Sequence, residues 1–178
     1  MSGPAHPRVA EVARLLAEAG SPAELRVLPA EVRTAAAAAA ALGVPVGAIA
    51  NSLVFAVGEL PLLVLTSGAH RVDERKVAEL LGVERVTAAT ADFVRRHTGQ
   101  VIGGVAPVGH TEPIGTLVDV ELARHDTVWA AAGHPAAVFS TSYEELLRLT
   151  EGTAAEVGHG PGAASDVAGA AEARVCTS

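Results

Sequence analysis

An α+β fold is what this 178-residue sequence predicts, and three observations carry the prediction. Short segments framed by a capping residue in front and a glycine behind recur along the chain. Two apolar runs face one another across Gly58-Glu59. Helical and extended segments also alternate without the regular β-α-β spacing of a doubly wound sheet.

The elements follow in order. Pro7 suits a first helical position, and Val9, Val12, Ala13, Leu16 and Ala19 then share one face up to Gly20. Glu24–Leu28 alternates as a short strand. Thr34 caps a helix through the alanine run 35–41, stopped by Gly43; alanine is the best helix former and lets a helix lie close to a sheet. Runs 52–57 and 60–66 read as a hairpin whose strands are too apolar to face water. Asp73 caps a helix over 74–81 ending at Gly82. A strand at 84–87 precedes a helix from Thr90 to His97. Residues 99–115 hold five glycines and two prolines and form a loop. Strands are expected at 116–120 and 127–131 around a turn at 124–126, and another at 136–139. A capping box at Thr141–Glu144 opens a last helix over 142–149, and residues 153–157 add an edge strand.

The length fits one domain, placed at residues 1–157. Residues 158–178 are Gly/Ala-rich and are expected to form a mobile tail. No stretch approaches ~18 apolar residues without Gly, Pro or a charge, so no membrane helix is predicted. Met1-Ser2-Gly3-Pro4 lacks the pattern of a signal peptide, and Cys176 stands alone, so a cytoplasmic location is expected. A net charge of −7 argues against duplex DNA binding through a basic face. Arg71, Arg75, Lys76, Arg95 and Arg96 are candidates for touching a nucleic-acid end, although residues 71–96, with six basic and five acidic groups, also read as a solvated mixed-charge face.

Familiar catalytic patterns are absent: no nucleophile elbow, His-Glu-x-x-His pair, Walker loop or paired cysteines occurs. No metal or cofactor is expected. Three segments stand out instead. In Gly103-Gly104-Val105-Ala106-Pro107, glycines let main-chain N–H groups approach a ligand, and Pro107 stiffens the bend. Gly133-His134-Pro135 follows the segment carrying Trp129. Asn51-Ser52 enters the first apolar run. Each taken alone reads equally well as a turn or a strand start.

In this order and spacing, Ile49–Phe55, Val72–Val77, Ile102–Gly109 and Val128–Phe139 resemble the YbaK/ProX family of aminoacyl-tRNA editing domains over residues 6–157. The family includes free-standing deacylases and the insertion domain of bacterial prolyl-tRNA synthetases. The resemblance implies a mixed, strongly curved sheet, a partial barrel, flanked by helices. It further implies trans-editing, the hydrolysis of the ester joining a mischarged small amino acid to the tRNA 3′ end. The partner would be the tRNA acceptor end, with an aminoacyl-tRNA synthetase as a further candidate. On this reading Gly103 and Gly104 N–H groups stabilise the oxyanion while Asn51 and His134 orient the substrate; Ser52, Pro107 and Gly133 complete the pocket. An aminoacyl ester is already activated, so a site poor in ionisable groups suffices. Many active members have Lys where this chain has Asn51, and Ala136 is a second departure. Either the substrate differs, or another cation such as Arg71 or His110 compensates, or catalysis has been lost. The alternative is a module that binds aminoacyl-tRNA, a synthetase or a small metabolite without turnover.

Overall fold

The computed structural model describes residues 6–160. Five helices are α1 (Pro7–Glu18), α2 (Ala35–Leu42), α3 (Glu74–Leu81), α4 (Ala91–Thr98) and α5 (Tyr143–Thr150). The strands are β1 (Leu25–Val27), β2 (Ile49–Val57), β3 (Leu60–Ser67), β4 (Arg71–Val72), β5 (Thr87–Ala88), β6 (Gly115–Asp119), β7 (Val128–Ala131), β8 (Ala137–Thr141), β9 (Thr153–Ala155) and β10 (Gly158–His159). The main sheet runs β1-β8-β7-β2-β3-β6-β9, with β5 joining β2 from the side. It is mixed: β2–β3, β7–β8 and β1–β8 are antiparallel, whereas β2–β7, β3–β6 and β6–β9 are parallel. The sheet is open, with β1 and β9 as its ends.

The apolar hairpin sits at the centre for a physical reason. Leu63, Val64 and Leu65 of β3 are fully buried, as the unbroken apolar run requires once both faces are covered. The caps act where expected: Thr34 Oγ1 accepts from Ala37 N at 3.0 Å, Asp73 from Arg75 N and Lys76 N, and Thr90 from Phe93 N. Gly43 and Gly82 close their helices in the left-handed region.

Four expectations are corrected. The strands at 116–120 and 127–131 do not pair with one another; β6 lies beside β3 and β9, while β7 lies beside β2 and β8. Asp119 is the cause. Its buried carboxylate accepts from Thr66 Oγ1, Ser67 N, His70 Nδ1 and Glu121 N at 2.9–3.2 Å. A buried carboxylate needs such partners. Satisfying it turns the chain into a 3-10 segment, Val120–Arg124, that leaves the sheet edge and delivers β7 to the far side of β2. The strand expected at 84–87 survives only as Thr87–Ala88. The capping box lies one residue later, Ser142 Oγ accepting from Glu145 N. Finally, Gly158–His159 pairs with Arg71–Val72, and His159 Nε2 meets Asp73 Oδ2 at 2.8 Å, so strand pairing extends two residues past 157. The remainder of the expected tail, with Cys176, lies outside the described residues.

Two apolar clusters result. The larger fills the space between the sheet, α1, α3, α4 and α5. The smaller packs Ala38 and Ala39 of α2 on Leu28, Ile49, Trp129 and Val138. The alanine run is therefore a packed helix, its small side chains lying close against the sheet.

Candidate functional site

Parallel pairing of β2 with β7 extends over Ile49–Ala50 opposite Trp129–Ala130 and no further, while β2 next meets β5 only at Phe55. Where the strands part, a cavity of about 80 Å³ opens. Its lining includes Asn51, Ser52 and Gly103, walled by Ala35, Ala38, Ala50, Ala130, Ala131 and Ala137, with Trp129 and Pro135 beside them. Alanines from four elements thus define its width. An apolar cavity of ~150 Å³ admits benzene, so this one admits a smaller group.

The bend at Gly103 is a tight turn. Gly104 N donates to Val101 O at 3.0 Å, and Gly103, third of the four residues, has φ 90°. That position of a type II turn demands a positive φ, which glycine adopts without a Cβ penalty. The Gly103 N–H has no acceptor among the described residues. This corrects the pairing of two amide donors: the Gly104 N–H is consumed by the turn, leaving Gly103 alone. Gly104 is instead a close-approach residue, since a Cβ there would stand 2.7 Å from both His134 C and Pro135 N.

Gln100, which sequence reading passed over, holds the loop. It is 2% exposed. Its Oε1 accepts from Ala106 N at 2.7 Å, and its Nε2 donates to Val108 O and Gly109 O. His110 closes the same ring, Nε2 donating to Ala106 O at 2.7 Å. Burial pushes the His110 imidazole below its ordinary 6.5, although the bond to Ala106 works the other way. Pro107, buried within this ring, lies outside the cavity lining. A lone polar residue three positions before Gly103 gives no sequence signal, because its value comes from contacts across the loop.

Gly133 has φ 97°, and a Cβ on it would approach Arg8 O at 3.0 Å, so α1 crosses the β7–β8 turn. His134 Nδ1 accepts from Ala136 N at 3.0 Å, and its ring lies 4.8 Å from that of His6, the α1 N-cap. Burial, reinforced by His6, holds His134 below 6.5. At neutral pH it is therefore uncharged, with the proton on Nε2. Its neighbour Pro135 lines the cavity; the His134 ring does not. Ser52 Oγ is buried with no hydrogen-bond partner among the described residues, and an orphaned hydroxyl costs about 1–3 kcal/mol.

The expected substitute cations are elsewhere. Arg71 pairs in β4 with β10, and His110 is spent on the loop. Neither these nor Arg75, Lys76, Arg95 or Arg96 line the cavity; Arg33 does. Among the described residues no group of three or more His, Cys, Asp or Glu is placed to hold a metal ion, and no helix is long and apolar enough to cross a membrane.

Comparison with known proteins places the chain, with this fold and this cavity between its strands, in a class. The chain belongs to the aminoacyl-tRNA editing domain family, whose model matches residues 29–149. It is similar to a crystal structure described as "a putative trans-editing enzyme for prolyl tRNA synthetase", at 39% identity and TM-score 0.83, covering 88% of this chain and all of that one. The uncharacterized protein YwhH of Bacillus subtilis is 31% identical over 114 residues, 64% of this chain and 72% of that protein. Proline–tRNA ligase of Geobacter sulfurreducens is 33% identical over 92 residues, 52% of this chain but only 16% of the ligase. The chain thus corresponds to a small part of the synthetase.

Proposed function

We propose that this protein is a free-standing deacylase that removes a mischarged small amino acid from the 3′ end of tRNA. The observation that carries the reading is the Gly103 N–H, without an acceptor among the described residues, at the edge of a cavity of about 80 Å³ lined by six alanines among other residues. Water adds to the ester carbonyl carbon, and the carbonyl oxygen gains negative charge as the tetrahedral intermediate forms. The Gly103 amide donates to that oxygen. Collapse breaks the bond to the ribose oxygen, which takes a proton and leaves as the tRNA 3′-hydroxyl; the amino acid leaves as its carboxylate, with release of a proton. Asn51 and Ser52, at the start of the parted strand, orient the ester. His134 acts through the backbone, its Nδ1 shaping the turn against which Gly104 rests. Family membership and the similarity to a described trans-editing structure support this reading.

One observation favours a second reading, a module that binds the aminoacyl end without hydrolysing it. Among the described residues lining the cavity there is no His, Asp, Glu or Lys, so none of them offers a base to activate water. A panel of charged tRNAs separates the two. Hydrolysis of alanyl-, seryl- or cysteinyl-tRNA above the spontaneous rate supports the deacylase. Spontaneous rates throughout, with measurable binding, overturn it in favour of the module.

A further inference from the structure

We propose that Arg33 is the anchor for the terminal phosphodiester of the nucleic acid whose acyl group enters the cavity, an inference that rests on the reading of the cavity as an aminoacyl-end site. Among the described residues, Arg33 is the one charged side chain lining the cavity; the polar ones besides it, Thr34, Asn51 and Ser52, are neutral. It is exposed and has no ion-pair partner among the described residues, whereas Arg14, Arg26, Arg124 and Arg148 are each paired with a glutamate. Its main chain is held on both sides. Val32 N donates to Pro29 O at 3.0 Å before it, and the Thr34 cap fixes Ala37 N after it. The guanidinium therefore extends from a stretch of chain hydrogen-bonded on either side, at the cavity wall.

The charge balance gives this position its meaning. With a net charge of −7, the protein repels a polyanion, so attraction must be local. With the acyl group in the cavity, the ribose and the adjoining phosphate lie toward its mouth. A planar guanidinium presents two parallel donors to phosphate oxygens, a geometry that an ammonium does not reproduce.

The test compares two hydrolysis-resistant probes: a CCA trinucleotide ending in 3′-alanylamino-adenosine, and 3′-alanylamino-adenosine alone, which has no phosphate. Arg33→Gln is expected to weaken the trinucleotide about tenfold, the loss of one charge-assisted contact. It should leave the nucleoside unchanged. Arg33→Lys is expected to recover part of the loss, and the salt dependence of trinucleotide binding should become shallower in Arg33→Gln. Equal trinucleotide affinity in wild type and Arg33→Gln overturns the proposal. So does an equal loss for both probes, or no trinucleotide binding by the wild type. Turnover is read separately: tight trinucleotide binding without hydrolysis of alanyl-tRNA defeats the deacylase reading and leaves the Arg33 contact standing.

Discussion

Gly104 rests against the peptide that joins His134 to Pro135, so closely that a Cβ would stand 2.7 Å from His134 C. Two glycine-containing turns, thirty residues apart, are thereby keyed together beside Asn51 and Ser52. The contact is backbone on backbone, with no flexible side chain to give way.

Gly104→Ala is therefore expected to push the two turns apart and to destabilise the protein by about 1–3 kcal/mol, as overpacking does. Gly103→Ala acts differently. It meets the positive φ of the bend and is expected to lower stability by about 1–2 kcal/mol through backbone strain. Denaturant unfolding of both variants measures these losses. An unchanged midpoint for Gly104→Ala would show that the turns do not touch.

Gln100→Leu removes the acceptor for Ala106 N and the donor to Val108 and Gly109 carbonyls while filling similar space. Orphaning one buried amide alone costs about 1–3 kcal/mol. The expected outcome is lower stability together with faster amide exchange throughout residues 100–110. Protection factors equal to wild type would contradict the assigned role.

His110 and His134 both lie below the ordinary value of 6.5 when folded. The unfolded chain then binds more protons than the native one, so their stability contribution is full above about pH 6.5 and is lost as pH falls toward the folded values. His110→Gln, which keeps a donor toward Ala106 O without titrating, should flatten the decline between pH 7 and pH 5. A slope identical to wild type would show that His110 does not titrate in that window.

Much of this architecture was legible in the chain. Thr34, Asp73 and Thr90 announced their helices because a cap is a local interaction, and the apolar runs of the central hairpin announced burial on both faces. Asp119 was not legible: its partners Thr66, Ser67 and His70 lie about fifty positions away, and those contacts decide where β6 and β7 go. The site divides in the same way. Gly103 and Asn51 are ambiguous in their local pattern and stand out only through the order and spacing of the four segments; they meet at one cavity. The spending of the Gly104 amide, the role of Gln100 and the arrival of Arg33 at the cavity wall depend on tertiary contacts that no spacing encodes.

Asn51→Lys adds a cation to the cavity lining, where the wild type has a neutral amide. Deacylation of alanyl-tRNA is expected to rise several-fold, since charge-assisted bonds are about twice as strong as neutral ones. Single-turnover rates measure it. No gain would show that the amide at this position does not limit the reaction.

The Gly103 amide is observed most directly by NMR, with 3′-alanylamino-adenosine titrated into labelled protein. A downfield shift of the Gly103 N–H on binding, larger than that of Gly104, is the predicted result, because only the former is open to a carbonyl acceptor. A Gly103 resonance that stays in place while the ligand binds would contradict the account.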